Sequence, residues 1–321
     1  MKYNTFGKTG MNVSAMTLGT WGMGGVGWDV YDDEVKTDAI KAALEEGINF
    51  FDTAPAYNAG AAERFLGKVL KDNNVRSRVY ISTKCGNVFK DGITYIRDGR
   101  YDSVIRQCDR SLINLGTDYI DLMLIHWPDP DTPFEETMDA LNRLKKEGKI
   151  LHIGVSNFSI DQMKEISRYG EIEAFQPHYS MVNRDAEESM KWAAGQGMGV
   201  MTYGSLGGGI LTGKYRKLMT FPAADSRNRF YKHFQEPLFS EVMELIRVMD
   251  QVSHENGGIP LSRIALKWSI EKPFVHTCIV GAQKRERVVE NAGSFELDLS
   301  PEDWARLNEA ADRLTGEMNK C

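Results

Sequence analysis

A closed (β/α)8 barrel with an N-terminal β-hairpin beneath it is the fold this sequence predicts, on three observations. Eight short apolar runs alternate with helix-patterned segments along the chain. The alternation fills a length that suits one such barrel. No linker, low-complexity tract or composition break divides the 321 residues, so a single domain over 1–321 is expected. A doubly wound open sheet is the competing use of the same alternation.

The hairpin comes first. Lys2–Phe6 and Met11–Ser14 flank the turn Gly7-Lys8-Thr9-Gly10, and the pair is expected to close the bottom of the barrel. The eight barrel strands are expected at Met16–Leu18, Asn49–Thr53, Val79–Thr83, Ile120–Ile125, Ile150–Val155, Ala174–Pro177, Gly199–Thr202 and Thr277–Val280. Helical patterns fall near Asp33–Glu46, Ala62–Lys71, Asp102–Leu115, Phe134–Glu147, Ile160–Tyr169, Ala186–Ala194 and Leu238–Asn256. Extra C-terminal helices follow at Leu261–Ile270, Lys284–Asn291 and Pro301–Leu314. Gly47, Gly116, Gly148 and Gly170 read as helix stops. The connection from Tyr203 to Pro237 is too long for a plain loop and carries Lys214, Arg216, Lys217, Arg227 and Arg229. Loops of that length are functional or mobile.

Composition narrows the class. The net charge of −6 is spread with both signs interspersed, which argues against a nucleic-acid or anionic-membrane partner. No apolar run reaches the ~18 residues that span a bilayer. The stretch MKYNTFGKTG has no signal-peptide apolar core, so a cytoplasmic location is expected. Cys85, Cys108, Cys278 and Cys321 are scattered, which points to free thiols and no zinc site. His126, His152 and His178 lie on different strands without paired carboxylates, so no metal is expected.

Two glycine motifs are set aside. Gly22–Gly27 has the GxGxxG spacing, but Trp28–Asp32 intervenes before the next helix, where a dinucleotide fingerprint puts its last glycine inside the helix. It reads as a loop over the barrel mouth. Gly208–Lys214 has phosphate-loop spacing, but Tyr215 stands where a magnesium-binding Ser or Thr is required.

Chemistry is expected at the C-terminal strand ends, where barrel enzymes gather their reacting groups. The second strand ends at Asp52, the third at Lys84, the fourth at His126, and the fifth at Ser156-Asn157. The sixth ends near Gln176, the seventh at Tyr203 and the eighth at Gly281. Any one of these is compatible with a surface cap or an ordinary core position; convergence at one mouth makes a reaction centre. Asp52, Tyr57, Lys84 and His126 form a proton-transfer set. A free tyrosine has a pKa of about 10, and a lysine ammonium beside it is expected to lower that value. Asp52 would hold the lysine charged, and His126 would orient a carbonyl oxygen. No Ser or Cys stands beside a base, so nucleophilic catalysis is not indicated.

The stretches DTAPAY (Asp52–Tyr57), ISTKCG (Ile81–Gly86), IDLMLIHWP (Ile120–Pro128), GKILHIGVSNF (Gly148–Phe158) and LTGKY (Leu211–Tyr215) resemble the aldo-keto reductase superfamily, in this order and from end to end. The likeness is to the bacterial general and inositol-pathway-related members. It implies hydride transfer between nicotinamide and an aldehyde or ketone, the reverse being alcohol oxidation, with the dinucleotide bound extended on the barrel. Tyr57 then matches the proton donor, Lys84 and Asp52 its tuners, and His126 the carbonyl-orienting group. Gly19, Thr20, Trp21 and Asp52 fall in the cofactor-binding set, while Ser156, Asn157 and Gln176 match groups that hydrogen-bond the nicotinamide carboxamide. Tyr203 matches the ring that stacks on nicotinamide, and Ser205, Leu206, Gly209 and Lys214 the pyrophosphate wrap. Gly281, Gln283, Arg287, Glu290 and Asn291 match the adenosine end.

The chain departs from the pattern at Gly204–Gly209, richer in glycine than usual, and at Gln283, where NADP-preferring relatives carry a cation. Lys284 and Arg287 stand nearby, so NADP(H) is the expected cofactor and NAD(H) the alternative. Trp21, Trp28, Tyr57, His126 and Trp127 are the expected walls of the substrate pocket. A small carbonyl or alcohol is the expected partner; oligomeric state is not specified. Two other classes stay open. A cofactor-sensing subunit like the channel β-subunits would share these residues, although the chain starts directly into its hairpin. A metal-dependent barrel hydrolase would need a divalent ion.

Overall fold

Alternation along parallel strands decides which side chains meet inside a barrel and which face the surrounding helices. The computed structural model describes residues 1–25, 27–89 and 95–318. Its strands are β1 (Tyr3–Thr5), β2 (Asn12–Ser14), β3 (Met16–Gly19), β4 (Phe50–Asp52), β5 (Tyr80–Cys85) and β6 (Asn87–Phe89), followed by β7 (Tyr95–Arg97), β8 (Ile120–Ile125), β9 (Ile150–Ser156), β10 (Ala174–Gln176), β11 (Gly199–Thr202) and β12 (Thr277–Gly281). The helices are α1 (Asp33–Glu45), α2 (Ala61–Asp72), α3 (Tyr101–Leu115), α4 (Phe134–Lys146), α5 (Ile160–Ile166) and α6 (Glu187–Gly195). Then come α7 (Ser226–Phe230), α8 (Leu238–Glu255), α9 (Leu261–Ile270), α10 (Arg285–Ala292) and α11 (Pro301–Met318). Strands β3, β4, β5, β8, β9, β10, β11 and β12 form a closed parallel barrel in that order. Pairing of β12 with β3 seals it, with Cys278 opposite Met16 and Gly281 opposite Gly19, which rules out the open-sheet alternative.

Outward residues such as Leu18, Phe51, Ile81, Met123, Val155, Phe175 and Val200 join the large core beneath the helices. Phe50, Leu122, Leu124, Ala174, Met201 and Ile279 fill the interior instead. The β1–β2 hairpin plugs the lower end with Phe6, which is fully buried and meets Phe50 edge-on at 5.7 Å. Gly199 makes room for that ring: a Cβ there would lie 2.6 Å from Phe6 Cδ1. Emptying the position by Phe6→Ala would cost about 3–5 kcal/mol.

Several expectations need correction. Lys84 is not the end of its strand; β5 continues through Cys85, which lies opposite Ile125 and whose carbonyl accepts from the His126 amide at 2.9 Å. Gly170 does not stop a helix, because α5 ends at Ile166 with Ser167 as its cap, whereas Gly47, Gly116 and Gly148 do take the left-handed conformation at helix ends. A second hairpin, β6–β7, was not anticipated; Asn87 pairs with Arg97 across it. The connection after β11 is ordered into a 3-10 segment (Gly207–Thr212), α7 and a further turn. Within Gly22–Gly27, Val26 lies outside the described residues; the preceding Trp21–Gly24 forms a 3-10 turn well before α1. Cys85, Cys108 and Cys278 are free and buried, and Cys321 lies outside the described residues.

Candidate active site

Parity along the strands carries a polar ring to the upper rim. In β4, Phe50 belongs to the barrel interior and Phe51 to the outer core, so Asp52 points inward. In β5 the same parity turns Ser82 and Lys84 inward and Ile81 and Thr83 outward. The last inward residue of β10 is Gln176, and inward Leu124 of β8 is followed two residues on by His126. These uppermost groups meet.

Asp52 and Lys84 are buried together. Lys84 Nζ donates to Asp52 Oδ2 at 2.7 Å and Oδ1 at 2.9 Å, to the Thr53 carbonyl at 2.8 Å, and to the Tyr57 hydroxyl oxygen at 3.3 Å. Three directions account for all three ammonium protons. The Tyr57 oxygen accepts from lysine, so its own proton is directed elsewhere. Ser82 Oγ (2.8 Å) and Gln176 Nε2 (2.9 Å) also donate to Asp52 Oδ1. The carboxylate is therefore anchored from two other strands, β5 and β10.

The electrostatics differ from the sequence expectation in one respect. Tyr57 is not brought below 10 by its lysine. Burial first, and the Asp52 charge second, hold its phenol well above that value. The physical reason is neutralisation: Lys84 spends its charge on Asp52 at 2.7 Å and presents little net field to the phenol. Burial also lowers the Lys84 ammonium, with Asp52 opposing. Burial and the lysine charge push His126 well below 6.5, so it is neutral at pH 7. Its ring stands edge-on to Tyr57 at 6.2 Å, and its buried Nδ1 has no hydrogen-bond partner among the described residues. With the proton on Nε2 that orphan is a lone pair rather than a stranded N–H, and Nε2–H is the donor available at the mouth.

Aromatic rings surround the phenol. Trp21 stacks on Tyr57 at 6.0 Å, and Trp28 and Phe230 both meet Trp21 edge-on. Trp127 follows His126 and lies beneath the Arg97 guanidinium at 5.4 Å. Tyr95, from the unanticipated hairpin, donates to the Ala56 carbonyl just before Tyr57. Arg227 is not available to an acidic ligand: it is buried, paired with Asp225 at 2.6 Å and bonded to Tyr215. Arg229 lies over the Phe230 ring at 5.3 Å.

Several of the expected cofactor residues, Gly19, Ser156, Gln176 and Gly281, end barrel strands. Gly19 ends β3, and the amide and hydroxyl of the next residue, Thr20, both donate to the Asp52 carbonyl. Ser156 Oγ donates to the Gln176 carbonyl (2.8 Å), and Asn157 Nδ2 to the His126 carbonyl (3.0 Å). Tyr203 donates its hydroxyl to Asn157 Oδ1 at 2.8 Å, so these amides already form one network with the stacking ring. His178 stacks on one face of Tyr203 at 5.0 Å. Gly204, Gly207, Gly208 and Gly209 all have positive φ, while Leu206, half-buried among them, has a φ of −104°. Ser205, buried, anchors this run to the Ile279 carbonyl. Lys214 lies 4.0 Å from Asp29, whose carbonyl also accepts from Gln283. Gly281 ends β12, Arg287 pairs with Glu290 at 3.1 Å, and Asn291 is buried.

Some participants escaped the sequence reading: Ser82, the Thr53 carbonyl, Tyr95, Phe230 and His178. Only Ser82 left a signal, as a hydroxyl in an otherwise buried strand. The chemistry of the expected cofactor residues fits a dinucleotide. The amides offer donors and acceptors, the glycines after Tyr203 admit close backbone approach, and buried Gln283 Oε1 lacks a partner among the described residues.

The fold and this constellation define an oxidoreductase barrel. The chain belongs to the aldo/keto reductase family, whose model matches residues 15–312. It is 36% identical to the aldo-keto reductase YhdN of Bacillus subtilis (96% of this chain, 93% of that one). It is 33% identical to the NADH-specific methylglyoxal reductase of Escherichia coli (98% and 99%). A putative voltage-gated potassium channel subunit beta of Schizosaccharomyces pombe shares 32% (96% and 91%). Among solved structures, the glycerol dehydrogenase of Gluconobacter oxydans superposes with a TM-score of 0.85 at 31% identity, covering 94% of this chain and 93% of that one.

Proposed function

We propose that this chain, one domain over 1–321, reduces an aldehyde or ketone with NADP(H), Tyr57 giving the proton, and oxidises the corresponding alcohol in reverse. The observation that carries the reading is the Lys84 ammonium, whose three protons go to Asp52, Thr53 and the Tyr57 oxygen. That arrangement leaves the Tyr57 proton free to reach a substrate oxygen and keeps an ammonium N–H donating to the Tyr57 oxygen once that proton leaves. Neutral His126 donates to the same oxygen and fixes its position. The high phenol pKa keeps the proton in place until the substrate oxygen takes on negative charge. The nicotinamide, when bound, supplies the hydride. Asn157, Gln176 and Ser156 would hold its carboxamide, Tyr203 its ring, Ser205, Leu206, Gly209 and Lys214 the pyrophosphate, and Gln283, Arg287, Glu290 and Asn291 the adenosine.

Tyr57→Phe tests the reading. Turnover on a carbonyl panel should fall by about 10²–10⁴-fold while dinucleotide binding, followed by fluorescence, persists. Near wild-type rates would sink it.

A second reading is supported by the likeness to the fission-yeast channel subunit. A cofactor sensor would bind dinucleotide with negligible turnover on every carbonyl tested. For the cofactor, Lys284 over the Tyr31 ring at 4.7 Å and exposed Arg287 supply the cations a 2′-phosphate requires, which favours NADP(H). NAD(H) is the alternative, since Glu290 already engages Arg287.

A further inference from the structure

Glu63 has no role in the chemistry described above, yet its carboxylate is fully buried in α2 without a cationic partner among the described residues. Burying such a charge is costly unless its oxygens are satisfied. They are: Thr83 Oγ1 donates to Oε1 at 2.6 Å and Asn114 Nδ2 to Oε2 at 2.8 Å.

The two donors lead to two different parts of the candidate active site. Thr83 immediately precedes Lys84 in β5, so the first bond fixes the strand that carries the lysine from its outer face. The second bond fixes Asn114, in α3, against the turn after Tyr57. A Cβ on Gly60 would lie 2.4 Å from Asn114 Nδ2, which shows how closely that amide abuts the turn. Arg64 completes the link, donating to Asn114 Oδ1 at 3.4 Å and to the Ala59 carbonyl at 3.1 Å.

The turn needs such support. Asn58 and Ala59 are consecutive non-glycine residues with φ of 51° and 48°, followed by Gly60 at 79°. Left-handed backbone at residues bearing a Cβ persists only where the surroundings hold it. Besides the Arg64 bond to Ala59, Asn58 Nδ2 donates to the Gly24 carbonyl at 2.7 Å.

We infer that Glu63 is a positioning residue of the reaction: its carboxylate ties the strand bearing Lys84 to the strained turn bearing Tyr57 and so sets the approach of the two. The inference rests on the proposed roles of Tyr57 and Lys84. The Glu63 charge has a second effect, because its field helps keep the buried Lys84 protonated. The other titratable groups facing Lys84 are Asp52, Tyr57 and His126; those near Glu63 are Arg64, through Asn114, and Cys108.

The test compares Glu63→Gln, Asn114→Ala and Tyr57→Phe in the full chain, with 4-nitrobenzaldehyde and NADPH or NADH. Glu63→Gln keeps the volume and removes the charge. It should lower kcat by about ten- to a hundredfold, with KM and the dinucleotide Kd within about twofold. It should also move the alkaline limb of the kcat profile to lower pH, since Lys84 then loses its proton more easily. Asn114→Ala keeps the charge and unhooks the turn, so it should lower kcat without moving that limb. Wild-type kcat and pH profile in Glu63→Gln would overturn the inference. So would losses that only follow the folded fraction, with the limb unmoved. If Glu63→Gln does not fold, Asn114→Ala decides: unchanged kcat overturns the inference, and lower kcat at unchanged KM sustains it. An active Tyr57→Phe would overturn the underlying reaction instead, whereas an inactive one beside a fully active Glu63→Gln would overturn only the role of Glu63.

Discussion

Lys84 Nζ lies 2.7 Å from Asp52 Oδ2, with both side chains almost completely withdrawn from water. A buried ion pair adds little net stability over an apolar substitute, but removing one partner strands the other charge. Lys84→Met should therefore cost about 3–5 kcal/mol of stability as well as turnover. Thermal melts and steady-state rates check both, and an Asp52→Asn/Lys84→Met double variant should recover part of the stability but none of the activity.

His178 makes stability depend on acid. Burial, then the charge of His233, lowers its imidazole from 6.5 to about 4. The folded pKa lies below the unfolded one, so the unfolded chain binds more protons in that interval. The contribution is complete above about pH 6.5 and is lost as pH falls toward 4, amounting at most to about 3 kcal/mol. Melting temperature should drop across this window, with a shallower slope in His178→Phe. Equal slopes would show that another group drives the loss.

Gly204 is required by both backbone and space. Its φ is 70°, and a Cβ would lie 2.4 Å from the His178 ring that backs Tyr203. Gly204→Ala should displace that ring and weaken dinucleotide binding by about tenfold, on the order of 1.4 kcal/mol. Fluorescence titration reads the change directly.

Arg287 tests the choice of cofactor. If its guanidinium meets a 2′-phosphate, Arg287→Ala should raise KM for NADPH by about tenfold and leave KM for NADH within about twofold. An equal effect on both, or on neither, would assign Arg287 to its bond with Glu290 alone.

The barrel was readable because buried parallel strands are written as short apolar runs between amphipathic helices, and Ile120–Ile125, Gly199–Thr202 and Leu261–Ile270 kept their expected ends. The β6–β7 hairpin was not readable. Its strands are three residues each, and Tyr95–Arg97 is exposed throughout, so no burial pattern marked it. The candidate catalytic residues were readable by position, as polar groups closing apolar runs. Their support was not, because a hydroxyl or amide within a helix or strand has no periodicity that reveals its partner.

By itself the sequence determined the (β/α)8 architecture, the polar strand ends and the resemblance that pointed to carbonyl chemistry. Only the tertiary structure decided the electrostatics, since Asp52 and Lys84 are 32 residues apart and their mutual neutralisation depends on ångström-scale approach within a dry barrel. It also decided that Arg227 is spent on Asp225 and that Glu63, in α2 against the outer face of β5, touches both lines of support. Apolar periodicity is local and is written into neighbouring residues. Hydrogen-bond pairing and burial are set by which distant segments meet, and closing the barrel brings those segments together.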